Sequence, residues 1–292
     1  MEILRRRIES QVMSLTGLSL GGVDYENPPG DPGLFGPDSA CWKVHSDFTC
    51  MMIGGVAALL LQMLHPLALA GVWDHSRFRE DMLGRLRRTG QFIAATTFGN
   101  QADAQRLIEK VRMIHGHIKG VALDGRPYAA DDPDLLTWVH VAEVSSFLKA
   151  YLRYFNPHFS LAEQDRYYRE VSLIARQLGA QQVPVSRVEI EHYLNTMRPQ
   201  LVCDERTREI TQILLSAPAP SALAKPFGSL IMRAGIDLLP EWAAQQLNIL
   251  PGHAERHLVR AGVNRTAPLL RWAVRNGSSH RARRRMGQPT KP

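Results

Sequence analysis

The residues best suited to chemistry lie in the first of two consecutive segments between 85 and 120 that read as helices. Arg85, Arg88 and Thr89 are spaced at i, i+3 and i+4, so they share one face of that helix. Two guanidinium groups and a hydroxyl on such a face need partners if they are buried. A bound carboxylate or oxygen species would supply them. The alternative is a solvent-facing basic stripe that includes Arg87.

The second segment carries two histidines near its end, His115 and His117. Residues two apart point about 200° apart around a helix, so only one of the two can face the interior. An inward imidazole is either a metal ligand or a structural core residue, and spacing alone favours the structural role.

Two further polar groups leave a functional and a structural interpretation open. His65 and the trio Asp74-His75-Ser76 flank one short helical stretch, where the histidine fits a core position and the trio fits a helix start. His140 and Glu143 share a helix face, as a support for a bound ligand or as a surface ion pair.

Several enzyme classes are excluded because the sequence lacks their catalytic motifs. A di-iron carboxylate bundle needs two Glu-x-x-His motifs, and only Glu189 to His192 matches. His253 and His257 lack the glutamate that a HExxH protease places directly after the first histidine. No P-loop, no GxSxG elbow and no GxGxxG after a strand occurs.

The formal net charge of +7 over 292 residues is local to the end of the chain. Eight basic and no acidic residues follow Gly262, and subtracting them from +7 leaves −1 for residues 1–262. We expect a basic, disordered tail over 276–292 and no nucleic-acid partner. The alternative role for such a tail is peripheral contact with an anionic membrane surface.

The three cysteines form no CxxC pair, and the first residues lack the continuous apolar stretch of a signal peptide. We therefore expect a cytoplasmic protein that can associate with membranes. The uncharged stretch Met51–Trp73 is long enough to span a bilayer. However, Gln62, His65 and Pro66 at mid-depth favour a buried central helix that bends at the proline.

Residues that typically begin and end helices occur along almost the whole chain, so the sequence predicts an all-α protein. Ser76, Asn100 and Asp132 suit N-caps, and capping boxes begin at Ser160 and Ser186. The stretch 120–132 reads as an exposed loop. We divide the chain into an N-terminal helix and loop (1–37), one helical domain (38–275) and the tail (276–292).

The order of several motifs resembles the MpaB/latex-clearing-protein family, the rubber oxygenase catalytic domains. These motifs include HPLALAGVWDHSRFRED, GRLRRT, VRMIHGHIKG and WVHVAEVSSFLKAYLRY, and the resemblance covers roughly Trp42 to Leu250. It implies a single globin-like helical bundle that encloses a pocket for haem b, with its iron.

The resemblance also implies roles for particular residues. Arg85 and Thr89 match the family's functional Arg and Thr, His115 matches the proximal iron ligand, and His117 is the fallback. Arg88 stands where latex-clearing proteins place a lysine that can bind iron distally, and arginine stays protonated. No convincing counterpart to their proposed catalytic glutamate occurs; the nearest candidates are Asp74 and Glu80.

The expected function is therefore a haem-dependent oxygenase or oxidoreductase. Its partners would be dioxygen and an apolar small molecule, of the isoprenoid or secondary-metabolite class. The alternative is a non-catalytic helical protein that binds haem or lipid at a membrane surface.

Overall fold

A computed structural model describes residues 1–16, 22–218, 221 and 224–289. Over these residues the chain forms fourteen α-helices and one two-stranded hairpin, which confirms the all-α class. In chain order the elements are α1 (Glu2–Thr16), α2 (Ala40–His45), α3 (Phe48–Gln62), α4 (Pro66–His75), α5 (Met82–Phe98), α6 (Gln101–His117), β1 (Lys119–Val121), β2 (Pro127–Ala129), α7 (Pro133–Tyr154), α8 (Leu161–Leu178), α9 (Arg187–Met197), a 3-10 turn (Arg198–Gln200), α10 (Glu205–Leu215), α11 (Lys225–Leu238), α12 (Glu241–Gln246), α13 (His253–Ala273) and α14 (Ser278–Arg285).

The core is built on α3, which packs along α7 and is covered by α11 and α13. Gly54 permits the close approach of α3 to α7, because a Cβ there would lie 2.8 Å from the Phe147 ring. At the other end of the pair, the Trp138 indole donates a hydrogen bond to the carbonyl of Gln62 at 3.2 Å. This packing fixes the scaffold from which the surrounding helices project.

Most of the predicted N-caps are confirmed by their hydrogen bonds. The side chains of Asn100, Asp132, Ser160 and Ser186 each accept from a backbone N–H in the first turn of the helix they precede. Ser76 differs from expectation. Its extended backbone ends α4, and α5 begins after Asp81, whose carboxylate accepts from the amide of Gly84 at 2.7 Å.

The apolar stretch Met51–Trp73 is divided between α3 and α4, whose axes differ by 104°. The chain turns at residues 63–65, so Pro66 is the first residue of α4, where its missing N–H leaves no bond unmade. No single helix among the described residues has the length and apolarity to cross a membrane; this bent pair passes by length and composition alone.

The expected loop over 120–132 contains a β-hairpin. Strands β1 and β2 pair antiparallel, with Gly120 opposite Tyr128, and Gly125 takes a positive φ in the turn. Three-residue strands are too short to show an alternating pattern in the sequence. The hairpin buries Tyr128, whose hydroxyl donates to the Asp74 carboxylate at 2.6 Å.

The expected disordered tail also differs from the structure, because residues 278–285 form α14. Arg285 is 3% exposed and donates to the carbonyls of Asp31, Tyr25 and Phe98 at 2.7 to 3.1 Å. A run of arginines reads as solvated, yet one member of it docks the end of the chain on the N-terminal loop.

Candidate functional site

Arg85 lies in the first turns of α5 with its guanidinium turned towards the protein. It lines a cavity of about 10 Å³ together with apolar residues of α3 and α10, such as Leu60 and Leu214. Burial, and to a lesser extent the charge of Arg88, lowers the pKa of Arg85 to about 10. Among the described residues no hydrogen-bond acceptor or carboxylate pairs with it.

Thr89, one turn further along α5, is half-buried and makes no hydrogen bond within the described chain. Other helical threonines behave differently, since Thr96, Thr137 and Thr266 each donate to the carbonyl four residues earlier, at 2.8 to 2.9 Å. The Thr89 hydroxyl is therefore available to a ligand.

Arg88 lies apart from this pair. Its side chain is 64% exposed and reaches back to Asp81 at 3.4 Å. The three residues predicted to share a face thus divide into Arg85 and Thr89, which are half-buried, and Arg88, which faces solvent. At such exposure the pair with Asp81 adds little stability.

The two histidines at the end of α6 have different surroundings. His115 is half-buried, and its Nδ1 atom is fully buried without a hydrogen-bond partner. Burial lowers the pKa of His115, only partly opposed by Asp131, so the imidazole is neutral at pH 7. His117 is exposed, and its Nδ1 atom bonds the carbonyl oxygen of Met113 at 2.7 Å. The Nε2 atom of His117 is left free by this bond, so the two histidines differ in burial: only His115 has a buried ring nitrogen without a partner.

Helices α5 and α6 are packed together and joined by only Gly99 and Asn100. Arg85 and Thr89 lie in the first half of α5, and His115 lies in the last turn of α6. Both groups are thus at the ends of the two helices remote from the connection. The structure does not bring them into one cavity, since neither His115 nor Thr89 lines the small cavity beside Arg85.

Residues 42–290 match the family described as "ER-bound oxygenase mpaB/B'/Rubber oxygenase, catalytic domain". The chain belongs to this family. The resemblance read from the sequence motifs is thereby confirmed, and membership supports a general oxygenase role. Searches of curated proteins and of solved structures gave no match to the chain.

In this member of the mpaB/rubber oxygenase family, the two nearest candidates for a catalytic carboxylate have exposed positions. Asp74 is exposed and accepts the hydroxyl of Tyr128, and Glu80 is exposed in the turn before α5. A more deeply placed carboxyl is Glu143 on α7. Burial raises its pKa to about 7, only partly offset by Gln62.

Thr211 on α10 is a site residue that the sequence did not single out. It lines the same small cavity as Arg85, it is buried, and its hydroxyl oxygen has no hydrogen-bond partner. Its position between Ile210 and Leu214 on an amphipathic helix reads as ordinary core, so only the tertiary contact of α10 with α5 reveals it.

A wider cavity of about 470 Å³ lies between the end of α8 and α9, where Gln181, His192 and Tyr193 are among its lining residues. None of the predicted site residues lines it. In the part of the chain that the structure describes, no group of three or more His, Cys, Asp or Glu side chains could hold a metal ion. A metal bound by His115 therefore needs its other ligands from elsewhere, as a porphyrin provides.

Proposed function

We propose that this chain is a haem b-dependent oxygenase that inserts oxygen into an apolar small molecule of the isoprenoid or secondary-metabolite class. Family membership supports the oxygenase part of the proposal. The observation that carries the haem part is the buried, unpartnered Nδ1 atom of His115 on a neutral imidazole. A neutral histidine is the standard proximal ligand of haem iron.

Arg85 and Thr89 fit the two other needs of a bound haem. Even with its pKa lowered to about 10, Arg85 remains protonated at neutral pH and can pair with a propionate or fix the polarity next to the iron. Thr89 would add a hydroxyl to the polar groups of such a pocket, since it makes no hydrogen bond within the described chain. The haem supplies the redox chemistry of oxygen, and the protein supplies the ligand, the polarity and the exclusion of water.

The proposal has a structural requirement. The cavity beside Arg85 measures about 10 Å³, the size of one water molecule. Haem can contact Arg85 only if α5 separates from α3 and α10. The first half of α5 is suited to such movement, since its side chains between 83 and 90 are half-buried or exposed.

An absorption spectrum of the purified protein, with haemin added during refolding or expression, tests the cofactor. We expect a Soret band in the wild type and in His117→Ala, because His117 is exposed on the surface of α6. In His115→Ala the band should fall roughly tenfold or more at equal haemin, since the axial ligand is lost. A colourless wild type that takes up no haemin would overturn the haem proposal.

Dioxygen uptake then separates an oxygenase from a non-catalytic haem protein. Haem-loaded wild type should consume dioxygen in the presence of an isoprenoid substrate, and the product should carry label from ¹⁸O₂. Haem binding without substrate-dependent uptake over a panel of apolar substrates would instead support the non-catalytic alternative.

A further inference from the structure

A cluster of basic residues surrounds one buried carboxylate where α7, α11 and α13 meet. Asp237 of α11 has 1% of its side chain exposed. Arg260 binds both of its carboxylate oxygens, at 2.8 and 3.0 Å, and Arg153 binds at 3.0 Å. Arg256, one turn before Arg260 on α13, lies 3.8 Å away. One carboxylate is thus shared by three guanidinium groups.

Lys149 adds a fourth cation to this cluster. It lies one turn before Arg153 on α7, and it has no hydrogen bond or ion pair with any described residue. Burial and then the charge of Arg153 lower the pKa of Lys149 to about 8, against the opposing effect of Asp237. Four basic groups on one carboxylate leave a formal excess of three positive charges.

Tyr154 gives an independent sign that the cluster is incomplete. The residue is 6% exposed, and its hydroxyl is buried without a hydrogen-bond partner. Burial raises the pKa of Tyr154, and Arg153, Asp237 and Arg260 also act on it, so the hydroxyl lies beside the cluster. A buried donor without an acceptor costs free energy unless a ligand accepts from it.

We propose that Lys149, Arg153, Arg256, Arg260 and Tyr154 form a binding site for an oxyanion with two negative charges, that is, a phosphate monoester. Arg153 also donates to the carbonyl of Asp237 at 2.9 Å and Arg256 to that of Pro251 at 3.2 Å, so the remaining N–H groups of the cluster and the tyrosine hydroxyl are the donors available to a ligand. Arg153, Arg256 and Arg260 keep 25, 23 and 40% of their side chains exposed, so a soluble phosphate or a lipid headgroup can reach them.

The site is distinct from the proposed haem site. Lys149 and Arg153 lie in the last part of α7, next to the start of α3, whereas Arg85 lines a cavity with Leu59, Leu60 and Met63 near the end of α3. Because α3 and α7 run antiparallel, with Gly54 at Phe147 and Gln62 at Trp138, the two sites lie towards opposite ends of this helix pair. Phosphate binding can therefore be measured whether or not haem is bound.

Calorimetric titration of the full chain with inorganic phosphate tests the site. We expect saturable binding that weakens about tenfold in Lys149→Met and is retained in Lys149→Arg, because one charged contact is removed in the first and kept in the second. Lys110→Met removes an exposed charge of α6 and should bind as the wild type does. Absence of saturable binding, or equal affinity in Lys149→Met and wild type, would overturn the proposal.

The number of protons taken up on phosphate binding tests whether Lys149 touches the phosphate. A purely structural role of Lys149 would not change this number. A bound dianion raises the pKa of the amine, so at pH 8 the wild type should take up roughly half a proton per phosphate. Titrations in buffers of different ionisation enthalpy measure this number. Lys149→Arg should bind phosphate with an uptake near zero, since arginine is always charged. Equal uptake in both proteins would contradict the assignment to Lys149.

Vesicles distinguish the two sources of the phosphate group. Co-sedimentation with phosphatidic acid vesicles, lost in Lys149→Met and absent with phosphatidylcholine, would identify a lipid headgroup. Binding of inorganic phosphate without vesicle binding would identify a soluble phosphate ester. Either identification holds only if calorimetry also shows weaker phosphate binding in Lys149→Met than in wild type.

Discussion

The histidines inside this protein fall into two kinds of surroundings. His45 of α2 uses both ring nitrogens, bonding the Thr97 hydroxyl at 2.8 Å and the Tyr167 hydroxyl at 2.9 Å. His115 of α6 and His140 of α7 each have a buried ring nitrogen with no hydrogen-bond partner. All three have lowered pKa values because burial disfavours the charged imidazole.

The difference separates structural histidines from candidate ligands. A buried polar group that finds all its partners within the chain stabilises one arrangement of the core. A buried group without partners costs free energy unless a ligand or water supplies the missing bond. By this criterion His45 belongs to the scaffold, whereas His115 and His140, like His280, each have a ring nitrogen whose missing bond a ligand or water would have to supply.

The largest loss of stability is expected at His45, the histidine whose two ring nitrogens are both hydrogen-bonded. Replacing His45 by Leu should lower the free energy of unfolding by about 4 kcal/mol, because the Thr97 and Tyr167 hydroxyls are both left unpaired in the core. Denaturant titration measures the loss. A loss below 1 kcal/mol would break the comparison, since His45 would then be no more structural than His140.

Glu143 should make stability depend on pH. Its pKa is raised from 4.5 to about 7 by burial, so between these values the native carboxyl keeps a proton that the unfolded chain releases. The stabilisation by the protonated carboxyl is complete below pH 4.5. It decreases as the pH rises above 4.5 and is lost as the pH passes through 7.

The free energy of unfolding of Glu143→Gln, measured relative to wild type, should be about 2 kcal/mol higher at pH 8 than at pH 5. This is somewhat less than the full pKa difference implies, because Glu143 keeps some solvent contact. Denaturant titrations at the two pH values measure this difference. Parallel stability curves for the two proteins would contradict the assignment.

The smallest effect is expected at His140. It is 9% exposed with its Nε2 atom unpaired, so His140→Leu removes an unmet polar group at similar volume. We expect the cofactor-free protein to become more stable by up to about 1 kcal/mol. Thermal unfolding of the variant beside His45→Leu sharpens the contrast, and a large loss of stability would show that His140 has a partner in solution.

Local signals predicted most of the fold, and tertiary contacts decided the rest. Helix caps depend on a side chain and an amide two or three residues on, so Asn100, Asp132 and Ser160 were readable from the sequence. Ser76 and Asp81 both suit a cap, and the choice depends on where α4 ends. The docking of Arg285 on three distant carbonyls has no local signature at all.

The site shows the same division. Spacing placed Arg85, Arg88 and Thr89 on one broad face, but at about 100° per residue that face is wide enough to have a buried and an exposed edge. Only the tertiary structure, in which Arg85 borders a cavity with residues of α3 and α10, shows that Arg88 lies on the exposed edge. Spacing separated His115 from His117 and the family resemblance put His115 first, but only the structure shows that His115 is the more buried of the two.

The contacts of Arg285 also bear on the order in which the chain folds. They join residues separated by 187 to 260 positions, and Arg5 of α1 bonds the carbonyl of Ala273 across 268 positions. During synthesis at about 5–20 residues per second, the N-terminal segment therefore waits on the order of tens of seconds for its partners. The helices between them can pack earlier, because closing so long a loop is a late step.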